Sequence, residues 1–455
     1  CDGHDAAINI FRRILQSQGC EVIHLGHNRG ADEFAHAAIQ EDAHAIAITS
    51  YQGGAVGQFT HTRSILDEHG HHVFCFGGGG GTILMSEVKH LRDEGIAHVY
   101  TPDDGRDMGL VGMVQDAMER ASKVDLLDSA RFDSLSGPVT ADDHGGVSRL
   151  LTLAENGDED AFSAALKRVR SRSEKEACPV VGLTGTGGAG KSSLTDELTL
   201  RIQRDNPGRK IALLATDPTR KSTGGALLGD RIRMDDLAGE ESFIRSMATR
   251  GHSGGLALAV PAAIQLFDAA QYDPVIVETV GVGQVEVDIA GTADTTVVIV
   301  TPGMGDAVQA NKAGLLEVAE VFVVNKADRP GANDTRRDLD LMLDLGHISG
   351  LEEKTGYRPP IIMANSLEGT GAEEILEAIE DHANHLEQSG SFLIRQRQRT
   401  LMEIQNRLEL LIGSTAKSAL QSDFGEAILL EVLERTVSPS EAAKSIASSV
   451  LNDSL

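Results

Sequence analysis

The sequence is poor in cysteine and contains no tryptophan. Its four cysteines lie far apart and form no Cys-x-x-Cys pair. That spacing argues against a zinc site built on paired cysteines and against a disulfide framework, and it is typical of reduced thiols in the cytoplasm. We therefore expect a cytoplasmic protein. The four residues are Cys1, Cys20, Cys75 and Cys178.

Long apolar runs and a surplus of positive charge are also absent. No run approaches the ~18 residues of a membrane-spanning helix, and no signal peptide is visible. The 41 Lys+Arg against 68 Asp+Glu give a net charge of −27. That charge would repel a nucleic-acid backbone or an anionic membrane. We expect neither as a partner, and an acidic soluble surface accounts for the charge.

The length suggests several domains, because 455 residues correspond to about three units at roughly 150 residues each. The first residue is Cys1 rather than Met, so we expect the sequence to begin inside a longer protein, with a first strand before Cys1. Residues 1–125 alternate helical patterns with short β-branched runs, which predicts a parallel sheet with helices on both faces. The predicted strands are Glu21–Leu25, Ala45–Ser50, His72–Gly77 and His98–Thr101.

Residues 126–175 are predicted to form a linker with a helical stretch. Residues 176–385 repeat the strand–helix alternation, which predicts a second doubly wound α/β domain. Its predicted strands are Val180–Thr184, Lys210–Thr216, Pro274–Glu278, Thr295–Val300, Val321–Asn325 and Pro360–Met363.

Residues 386–455 have a helical pattern only, and we expect a helical arm. One apolar face recurs at helical spacing, so the arm packs either on a neighbouring molecule or on its own domain. The residues of this face are Leu401, Ile404, Leu408 and Leu411.

A phosphate-binding loop opens the second domain. Residues 185–192, Gly-Thr-Gly-Gly-Ala-Gly-Lys-Ser, match G-x-x-x-x-G-K-[ST] between a predicted strand and a predicted helix. The glycines let backbone N–H groups face the β-phosphate, and the helix N-terminus adds its dipole. Lys191 would lie over the β- and γ-phosphates, and the Ser192 hydroxyl would bind Mg²⁺. The expected phosphate-binding residues are Gly185, Gly188, Ala189, Gly190, Lys191, Ser192 and Ser193.

A second motif, Asn325-Lys326-Ala327-Asp328, follows a later strand and indicates guanine. The Asp328 carboxylate can accept hydrogen bonds from the ring N–H and the exocyclic amine of guanine, a pair of donors that adenine lacks. Ser366, in the turn after the last predicted strand, would support the base. The sequence therefore predicts GTP and GDP as ligands and disfavours an ATPase of the ParA type.

Phosphoryl transfer needs a metal ion and groups that place water and charge near the γ-phosphate. Acidic residues follow two predicted strands of the second domain, where they would lie beside the phosphate-binding loop. We expect Lys191 and Glu278 to be catalytic and Arg233 to reach a phosphate oxygen. The candidate Mg²⁺ ligands are Ser192, Asp217, Asp230, Glu278 and Thr279.

Residues 217–234 and 278–284 of this domain resemble the MeaB/ArgK group of GTPases, which serve adenosylcobalamin-dependent mutases. The resemblance covers about residues 150–415. It implies a glutamate, Glu278, where Ras-like GTPases usually have an aspartate. It also implies that residues 284–288 begin a mobile segment that signals to the mutase.

The first domain resembles the cobalamin-binding family, whose pattern D-x-H-x-x-G, S-x-L and G-G lies at strand ends of a flavodoxin-like (Rossmann-like) sheet. Asp2-Gly3-His4, Thr49-Ser50 and Gly77–Gly81 occur here in that order. Two positions depart from the pattern, with Ala7 in place of Gly and Tyr51 in place of Leu.

This resemblance implies that His4 is the axial ligand of cobalt and that Asp2 holds its ring in one tautomer. Hydroxyls would bind the nucleotide tail of the cofactor, and glycines would leave room for it. The residues of the cluster His69-Gly-His-His72 are expected to lie on the surface or in a loop rather than to bind a metal. The expected cobalamin-binding residues are Asp2, Gly3, His4, Thr49, Ser50, Gly77, Gly78 and Gly79.

The order of the two domains resembles the fused isobutyryl-CoA mutase family. The resemblance implies conversion of isobutyryl-CoA to n-butyryl-CoA with adenosylcobalamin, while GTP hydrolysis with Mg²⁺ gates loading and protection of the cofactor. The acyl-CoA-binding barrel of that family has no counterpart in this sequence, so we expect it in a further domain or subunit, and we expect a homodimer. Two alternatives stay open: a methylmalonyl-CoA mutase-type cobalamin subunit with its GTPase chaperone, and a cobalamin-delivery switch without mutase activity.

Overall fold

The computed structural model describes residues 5–50, 54–79, 81–133, 139–156, 159–169, 178–217, 219, 223–228, 241–250, 259–279, 289–303, 318–348 and 356–453. The chain forms two compact units, Cys1–Glu387 and Gln388–Leu455. Within the described ranges, no helix is both long enough and apolar enough to cross a membrane.

The first part of the chain alternates helices and strands, as the sequence predicts. The four predicted strands are all present, and each is followed by a helix. In chain order the elements are α1 (Asp5–Ser17), β1 (Glu21–Ile23), α2 (Ala31–Gln40), β2 (Ala45–Thr49), α3 (Ala55–Glu68), β3 (Phe74–Gly78), α4 (Met85–Asp93), β4 (His98–Tyr100) and α5 (Pro102–Ala121).

Strands β2, β3 and β4 form a parallel sheet in that order. Its burial alternates with the pleat, because successive side chains of a strand point to opposite faces. Ile48, Cys75 and Val99 are buried against Phe59 of α3 and Leu91 of α4. One face of the sheet is therefore a packed core, which fixes the positions of the strand ends.

The expected linker region is largely helical. It contains α6 (Ser129–Asp133), α7 (His144–Glu155) and α8 (Glu159–Val169). Leu150 and Leu151 of α7 are buried in the same core as Phe243, Phe267 and Tyr272 of the second domain. The Tyr272 hydroxyl also donates to the carbonyl of Ala141 (3.1 Å). These contacts make α7 part of the second domain's core.

The second domain is built on a seven-stranded sheet, and all six of its predicted strands are present. In chain order its elements are β5 (Val180–Gly185), α9 (Lys191–Asp205), β6 (Ile211–Asp217), β7 (Ala226–Leu228), β8 (Ser242–Ala248), α10 (Val260–Ala270), β9 (Val275–Thr279), β10 (Thr295–Val300), β11 (Val321–Val324), α11 (Ala332–Ile348), β12 (Ile361–Met363) and α12 (Ala372–Gln388).

The strand order of the large sheet is β12-β11-β10-β5-β9-β6-β8, and every pairing is parallel. Strands β5, β6, β8, β9, β10 and β11 are buried along their whole length. This is typical of a parallel sheet covered by helices on both faces. The carboxyl ends of β5, β6 and β9 meet at one edge, where the phosphate-binding loop begins.

Strand β1 does not join the β2–β4 sheet. It pairs in parallel with β7, which belongs to the second domain in sequence, through the register Glu21↔Ala226, Val22↔Leu227 and Ile23↔Leu228. A strand edge exposes unpaired N–H and C=O groups, and pairing with a neighbouring segment satisfies them. The two domains are thus joined through their backbones.

A buried polar network forms a second junction between the domains. Arg245 of β8 is 4% exposed, and its guanidinium donates to Glu155 Oε1 (2.8 Å) and to the carbonyl of Gln40 (3.1 Å). The Glu41 carboxylate accepts from the N–H and the hydroxyl of Ser246 (both 3.0 Å). The C-terminal end of α2 is therefore fastened to the edge strand β8.

The second compact unit is helical, as predicted, with α13 (Ser391–Leu420), α14 (Asp423–Leu433) and α15 (Pro439–Asp453). Ile428, Ala442 and Ile446 form its small core. Leu401, Ile404 and Leu408 of the predicted apolar face are about half exposed.

Candidate GTP and cobalamin sites

The loop between β5 and α9 needs glycine at two positions, because of its backbone angles and the atoms that lie close to it. Gly185 (φ 144°) and Gly190 (φ 88°) have backbone angles that favour glycine. A Cβ at Gly185 would lie 2.1 Å from the carbonyl oxygen of Ile299, and one at Gly190 would lie 2.4 Å from Asn325 Nδ2. Helix α9 begins at the next residue, so its N-terminus adjoins the loop, where backbone N–H groups and the dipole favour phosphate.

Lys191 lies at the mouth of this loop. Its side chain is largely buried, at 8% exposure. The ammonium group donates to the carbonyls of Gly185 (2.9 Å) and Thr186 (3.2 Å). These carbonyls hold a positive charge at the position where the loop would receive the β- and γ-phosphates.

Glu278, near the end of β9, accepts hydrogen bonds from hydroxyl groups on α9 and β6. Ser192 Oγ donates to its Oε1 (2.7 Å), and Thr195 Oγ1 donates to its Oε2 (2.9 Å). Its backbone carbonyl accepts from Thr216 Oγ1 on β6 (3.1 Å). The carboxylate is 2% exposed. A buried carboxylate held by donors keeps a fixed orientation, so Glu278 and Ser192 form a prearranged oxygen pair.

Thr195 and Thr216 were missed in the sequence, although a signal for Thr195 was available. It lies three residues after Ser192, and residues at that spacing share one face of a helix. The role of Thr216 depends on pairing between β6 and β9, which brings it opposite Thr279. Nothing in the sequence of β6 alone indicates that partner.

The other predicted metal ligands are distributed around this edge. Asp217 ends β6 and is 9% exposed. The Thr279 hydroxyl is turned toward β5, within 3.0 Å of Thr184 Oγ1 and 3.4 Å of the carbonyl oxygen of Leu183. Asp230 and Arg233 lie outside the described residues.

The oxygen donors of this edge fit magnesium. Mg²⁺ prefers hydroxyl and carboxylate oxygens and usually takes one or two protein ligands together with substrate phosphates. Across the described ranges there is no group of three or more His, Cys, Asp or Glu that could hold a metal by itself. Ser192 with Glu278 or Asp217 therefore fits an ion that is shared with nucleotide phosphates.

The Asn325 side chain links three loops. It is completely buried. Its Nδ2 donates to the carbonyl of Ala189 (2.8 Å) and to Ser366 Oγ (3.2 Å), and its Oδ1 accepts from the N–H groups of Lys326 (2.8 Å) and Ser366 (3.1 Å). Asn325 thus sets the distance between the phosphate-binding loop and the predicted base-binding loops.

Asp328 and Lys326 lie at the rim of the same region. Lys326 has φ 58° and donates its ammonium group to the carbonyl of Gly188 (2.6 Å). Asp328 is exposed, two residues beyond the buried Val324–Asn325 segment. Its carboxylate is accessible to a base that enters between the Asn325 turn and the Ser366 turn. Ser193, on the first turn of α9, is half-buried.

The predicted cobalamin-binding residues that are described lie at the carboxyl ends of β2 and β3. Asp2, Gly3 and His4 lie outside the described residues, as does Tyr51. The N–H of Ser50 donates to the carbonyl of Gly78 (3.1 Å), and the Thr82 hydroxyl donates to the carbonyl of Gly79 (2.7 Å). The Thr82 hydroxyl also lies 3.4 Å from the carbonyl oxygen of Ser50, so the loops after β2 and β3 are in contact.

The glycines of this region have a packing reason of their own. A Cβ at Gly77 would lie 1.9 Å from the carbonyl oxygen of Ile48, and one at Gly79 would lie 2.6 Å from that of Ser50. A Cβ at Gly78 would lie 2.9 Å from the carbonyl oxygen of Tyr100. Glycine is therefore needed here for close approach of protein backbone, whether or not a ligand adjoins it.

A ligand could enter from the other face of the sheet. Ala47, Phe76 and Tyr100 alternate with the buried core residues, and they are exposed or half-buried. Phe76 and Tyr100 pack edge to face, with ring centroids 6.1 Å apart, and Thr49 lies at the end of the same face. The Tyr100 hydroxyl donates to Asp116 Oδ2 on α5 (2.7 Å), so α5 covers the β4 side of this face. The exposed Ala47 lies on the opposite, β2 side.

Comparisons with known families match two successive stretches of the chain. Residues 1–111 match the B12-binding domain. Residues 147–420 match the methylmalonyl-CoA mutase-associated GTPase MeaB. The second match includes the phosphate-binding loop, Glu278 and the Asn325–Asp328 turn.

Several relatives are named fused isobutyryl-CoA mutase. The chain is 46% identical to the one from Cupriavidus metallidurans, over 74% of this chain and 31% of that protein. It is 42% identical to the one from Geobacillus kaustophilus, over 76% of this chain and 32% of that protein. The chain therefore spans about a third of the length of these relatives.

A shorter relative is covered almost completely. A protein of Pyrococcus horikoshii, whose name describes it as a GTPase, is 43% identical over 69% of this chain and 96% of its own length. On the strength of the family match and this relative, the chain belongs to the methylmalonyl-CoA mutase-associated GTPase MeaB family, and it carries a B12-binding domain in front of the GTPase domain.

Proposed function

We propose that this chain is the cobalamin-binding and GTPase portion of an adenosylcobalamin-dependent acyl-CoA mutase. In this proposal GTP hydrolysis gates loading of the cofactor and its protection from damage. The observation that carries the proposal is the occurrence of both domains in one chain, in the order of the fused mutases. A separate GTPase chaperone would not need a B12-binding domain of its own.

The GTPase chemistry follows from the phosphate-binding edge. Lys191 would stabilise charge on the β- and γ-phosphates, and Ser192 would bind Mg²⁺ with Glu278 or Asp217 behind it. When bound, Mg²⁺ would neutralise negative charge that develops on the transferred phosphoryl group. Glu278 is held by two hydroxyls, so it would keep its position while the phosphate leaves. Asp230 and Arg233 are proposed to complete this shell.

Selection of guanine is assigned to Asp328 and the Asn325 turn. The Asp328 carboxylate would accept the two donors of the guanine edge, while Ser366 and Lys326 would bracket the base. Asn325 acts by positioning, since its side-chain oxygen and nitrogen bond to Lys326, Ser366 and Ala189. An adenine base would leave Asp328 without its partners.

The cobalamin site is assigned to the end of the first domain where His4 precedes α1. His4 would supply the lower nitrogen ligand, and Asp2 would fix the tautomer of its ring. Thr49 and Ser50 would bind the nucleotide tail of the cofactor, with Gly3 and the Gly77–Gly79 backbone around it. When bound, adenosylcobalamin supplies the radical chemistry of a carbon-skeleton rearrangement.

We further propose that an acyl-CoA-binding barrel, as a domain or a subunit, completes the assembly. The substrate pair that the relatives' name supports is isobutyryl-CoA and n-butyryl-CoA. A methylmalonyl-CoA mutase is the second candidate, because the family description of residues 147–420 names that enzyme. Turnover of each acyl-CoA after addition of the barrel separates these two, and turnover of neither favours a cobalamin-delivery switch.

A homodimer in the cytoplasm is also proposed. Helix α13 exposes Leu401, Ile404 and Leu408 at 49%, 49% and 50%, which is costly for apolar side chains in water. None of the described cysteines, Cys20, Cys75 and Cys178, is in a disulfide. Light scattering should give twice the chain mass, and a Leu401→Glu, Leu408→Glu variant should give the monomer mass.

The proposal is tested by retention of adenosylcobalamin together with nucleotide turnover. The full-length chain is mixed with the cofactor, free cofactor is removed by desalting, and bound cofactor is measured by absorbance. His4→Ala should lose most of the bound cofactor, whereas His61→Ala, at an exposed histidine of α3, should retain it. GTP should be hydrolysed, and a large excess of ATP should not compete.

Each part of the proposal has its own contrary result. Equal retention of cobalamin by wild type and His4→Ala would show that His4 does not help to hold the cofactor. No retention by the full-length wild type would contradict the cobalamin function. Competition by ATP at equal concentration would contradict the assignment of guanine.

A further inference from the structure

Strand β7 belongs to the GTPase domain in sequence and to the cobalamin-binding domain in its pairing. It lies between Asp217 and Asp230, two candidate Mg²⁺ ligands, in the part of the chain where a nucleotide would act. Its backbone is bonded to the first domain at both ends. Ala226 N–H donates to the carbonyl of Cys20 (3.1 Å), and His24 N–H donates to the carbonyl of Leu228 (3.1 Å).

The turn before β7 packs on the C-terminal end of α1. Thr223 Oγ1 donates to the carbonyl of Gln16 (3.1 Å). A Cβ at Gly225 would lie only 2.2 Å from that carbonyl oxygen and 2.9 Å from that of Cys20. On the other side, a Cβ at Gly19 would lie 3.2 Å from the carbonyl oxygen of Thr223. The two backbones approach this closely because neither has a side chain at the contact.

A chain of hydrogen bonds leads from Asp217 to β1. The Asp217 carbonyl accepts from Thr249 N–H (3.0 Å), and Thr249 Oγ1 accepts from Thr219 N–H (3.1 Å). Thr219 Oγ1 accepts from Arg250 N–H (2.7 Å). The Arg250 guanidinium then donates to Glu21 Oε1 (2.8 Å). A shift at the end of β6 would therefore reach β1 through directed bonds rather than through loose contacts.

Helix α1 extends from this contact to the predicted cobalt ligand. It begins at Asp5, the residue after His4, and ends at Ser17. Its 13 residues correspond to a rod of about 20 Å at 1.5 Å per residue. A helix transmits displacement along its axis without bending much, so movement of the Gln16 end would move the end next to His4.

We propose that the junction of Gln16–Ile23 with Thr223–Leu228 couples the nucleotide state of the GTPase site to the affinity for cobalamin, through α1. This inference rests on the proposed function, because it needs both ligands. It names the residues through which they communicate: Thr223 and Gly225 on the GTPase side, and Gln16 and Glu21 on the cobalamin side. The coupling is reciprocal by thermodynamic necessity, so cobalamin should change the nucleotide affinity by the same factor.

The experiment measures the dissociation constant of adenosylcobalamin for the full-length chain with GDP and with a non-hydrolysable GTP analogue. The wild-type constants should differ at least about fivefold, the lower end of usual coupling. The GDP and analogue constants, measured with and without cobalamin, should give the same factor. In Gly225→Ala the added methyl group pushes the turn away from Gln16, so the two cobalamin constants should agree within about twofold.

Two further variants make the result specific. Glu21→Gln keeps the shape of the side chain but removes its charge opposite Arg250, and it should reduce the coupling factor. Gly57→Ala, at an exposed position of α3 with nothing within 4 Å of the new Cβ, should keep the wild-type factor. GTP hydrolysis without cobalamin should stay within about twofold of wild type in all three variants.

Retention of the wild-type factor in both Gly225→Ala and Glu21→Gln would overturn the proposal. If Gly225→Ala does not fold, Glu21→Gln decides alone, and an unchanged factor in it overturns the proposal. Equal cobalamin constants in the two nucleotide states of the wild type would also overturn it, while binding of both ligands would leave the proposed function intact. Failure of the wild type to bind cobalamin would instead contradict the proposed function itself.

Discussion

The Ser192 hydroxyl donates a 2.7 Å hydrogen bond to Glu278 Oε1, although the two residues are 86 positions apart. One belongs to the phosphate-binding loop and the other to the end of β9. Parallel pairing of β5 with β9 brings these strand ends together. The bond prearranges two oxygen atoms where a metal ion would meet nucleotide phosphates.

The first prediction concerns this pair. Ser192→Ala removes the proposed metal ligand and one donor to a buried carboxylate. Mg²⁺ affinity in the presence of GTP should therefore fall by about 10–100-fold, the usual cost of losing a supporting interaction. GTP hydrolysis at limiting Mg²⁺ should fall with it. Titration of hydrolysis rate against Mg²⁺ measures both effects.

Thr199→Val is the matched control, because Thr199 lies on the same helix and is also completely buried. Its hydroxyl donates to the backbone carbonyl of Thr195 (2.7 Å). An Mg²⁺ dependence of Ser192→Ala equal to that of Thr199→Val would contradict the metal assignment.

The sequence indicates where these two loops lie because each is a local motif. The residues at 185–192 and 325–328 carry their chemistry within a few positions of one another, at the ends of apolar strands. The sequence also shows the glycines that the backbone of the phosphate-binding loop needs, three of which, Gly185, Gly188 and Gly190, have positive φ.

The missed features depend on tertiary contacts. Strand β8 contains Arg245 and two serines, so it lacks the β-branched run that indicates a buried strand. Arg245 is nevertheless buried, since partners on α2 and α7 neutralise it. The sequence predicts β1, but β7 has only three residues and is too short to be recognised alone, so the pairing of β1 with β7 is not predicted.

The second prediction tests recognition of the base. Asp328→Asn replaces an acceptor with an amide that can donate, so affinity for GTP should fall by about 10-fold to 100-fold, as expected for loss of a hydrogen bond to a charged group. Xanthosine triphosphate has a carbonyl where guanine has an amine, so its relative affinity should rise. Competition between the two nucleotides measures the preference.

Asp334→Asn provides the control for charge. Asp334 lies near the start of α11 and its carboxylate accepts from Arg337 on the helix surface. This variant removes the same charge nearby and should keep the preference for GTP. If Asp328→Asn prefers GTP as strongly as the control does, the assignment of Asp328 to guanine recognition is contradicted.

The third prediction concerns acid stability. His71 is 1% exposed, and its Nε2 lies 3.6 Å from Asp42 Oδ1. Burial lowers the pKa of His71 from 6.5 to about 4, with the charge of Asp42 opposing this and those of Arg131 and Arg149 adding to it. Between pH 6.5 and about 4, His71 is therefore protonated in the unfolded chain and neutral in the folded chain.

His71 should contribute stability that is fully present above pH 6.5 and is lost as the pH falls toward 4. The loss amounts to about 3 kcal/mol at the low end of this range. His71→Asn should flatten the curve of unfolding free energy against pH in this window, measured by urea denaturation. His61→Asn, at an exposed site, should leave it unchanged, and a curve for His71→Asn that parallels the wild type would refute the prediction.

Asp42 contributes to acid stability at lower pH than His71, because its own pKa is lowered. Burial acts to raise it, but the hydrogen bond and charge of Arg131 outweigh burial, so the pKa is lowered from its usual 3.8. The contribution of Asp42 is therefore present above its usual pKa and is lost only as the pH falls through the lowered value. Loss from Asp42 should follow the loss from His71 as the pH is reduced.

The fourth prediction concerns the domain junction at Arg245. Burial acts to lower the pKa of this guanidinium, but the charges of Glu155 and Glu41 outweigh burial and raise it. The charge is thus held in the folded state by its partners. Arg245→Met removes it, while Glu155 keeps its contact with Arg250 (3.2 Å) and Glu41 keeps its bonds to Ser246. Loss of one partner from a buried ion pair should reduce the unfolding free energy by about 3–5 kcal/mol.

The double variant Arg245→Met, Glu155→Gln identifies the cause of this loss. It also removes the charge of Glu155, whose carboxylate is 2.8 Å from the guanidinium in the wild type. It should therefore recover part of the stability. Replacing both members of a buried pair costs less than replacing one, because no uncompensated charge remains. The double variant could instead be less stable than Arg245→Met by the full cost of a second core substitution. That result would mean that the charge pairing contributes little and that the guanidinium only fills space between α2, α7 and β8.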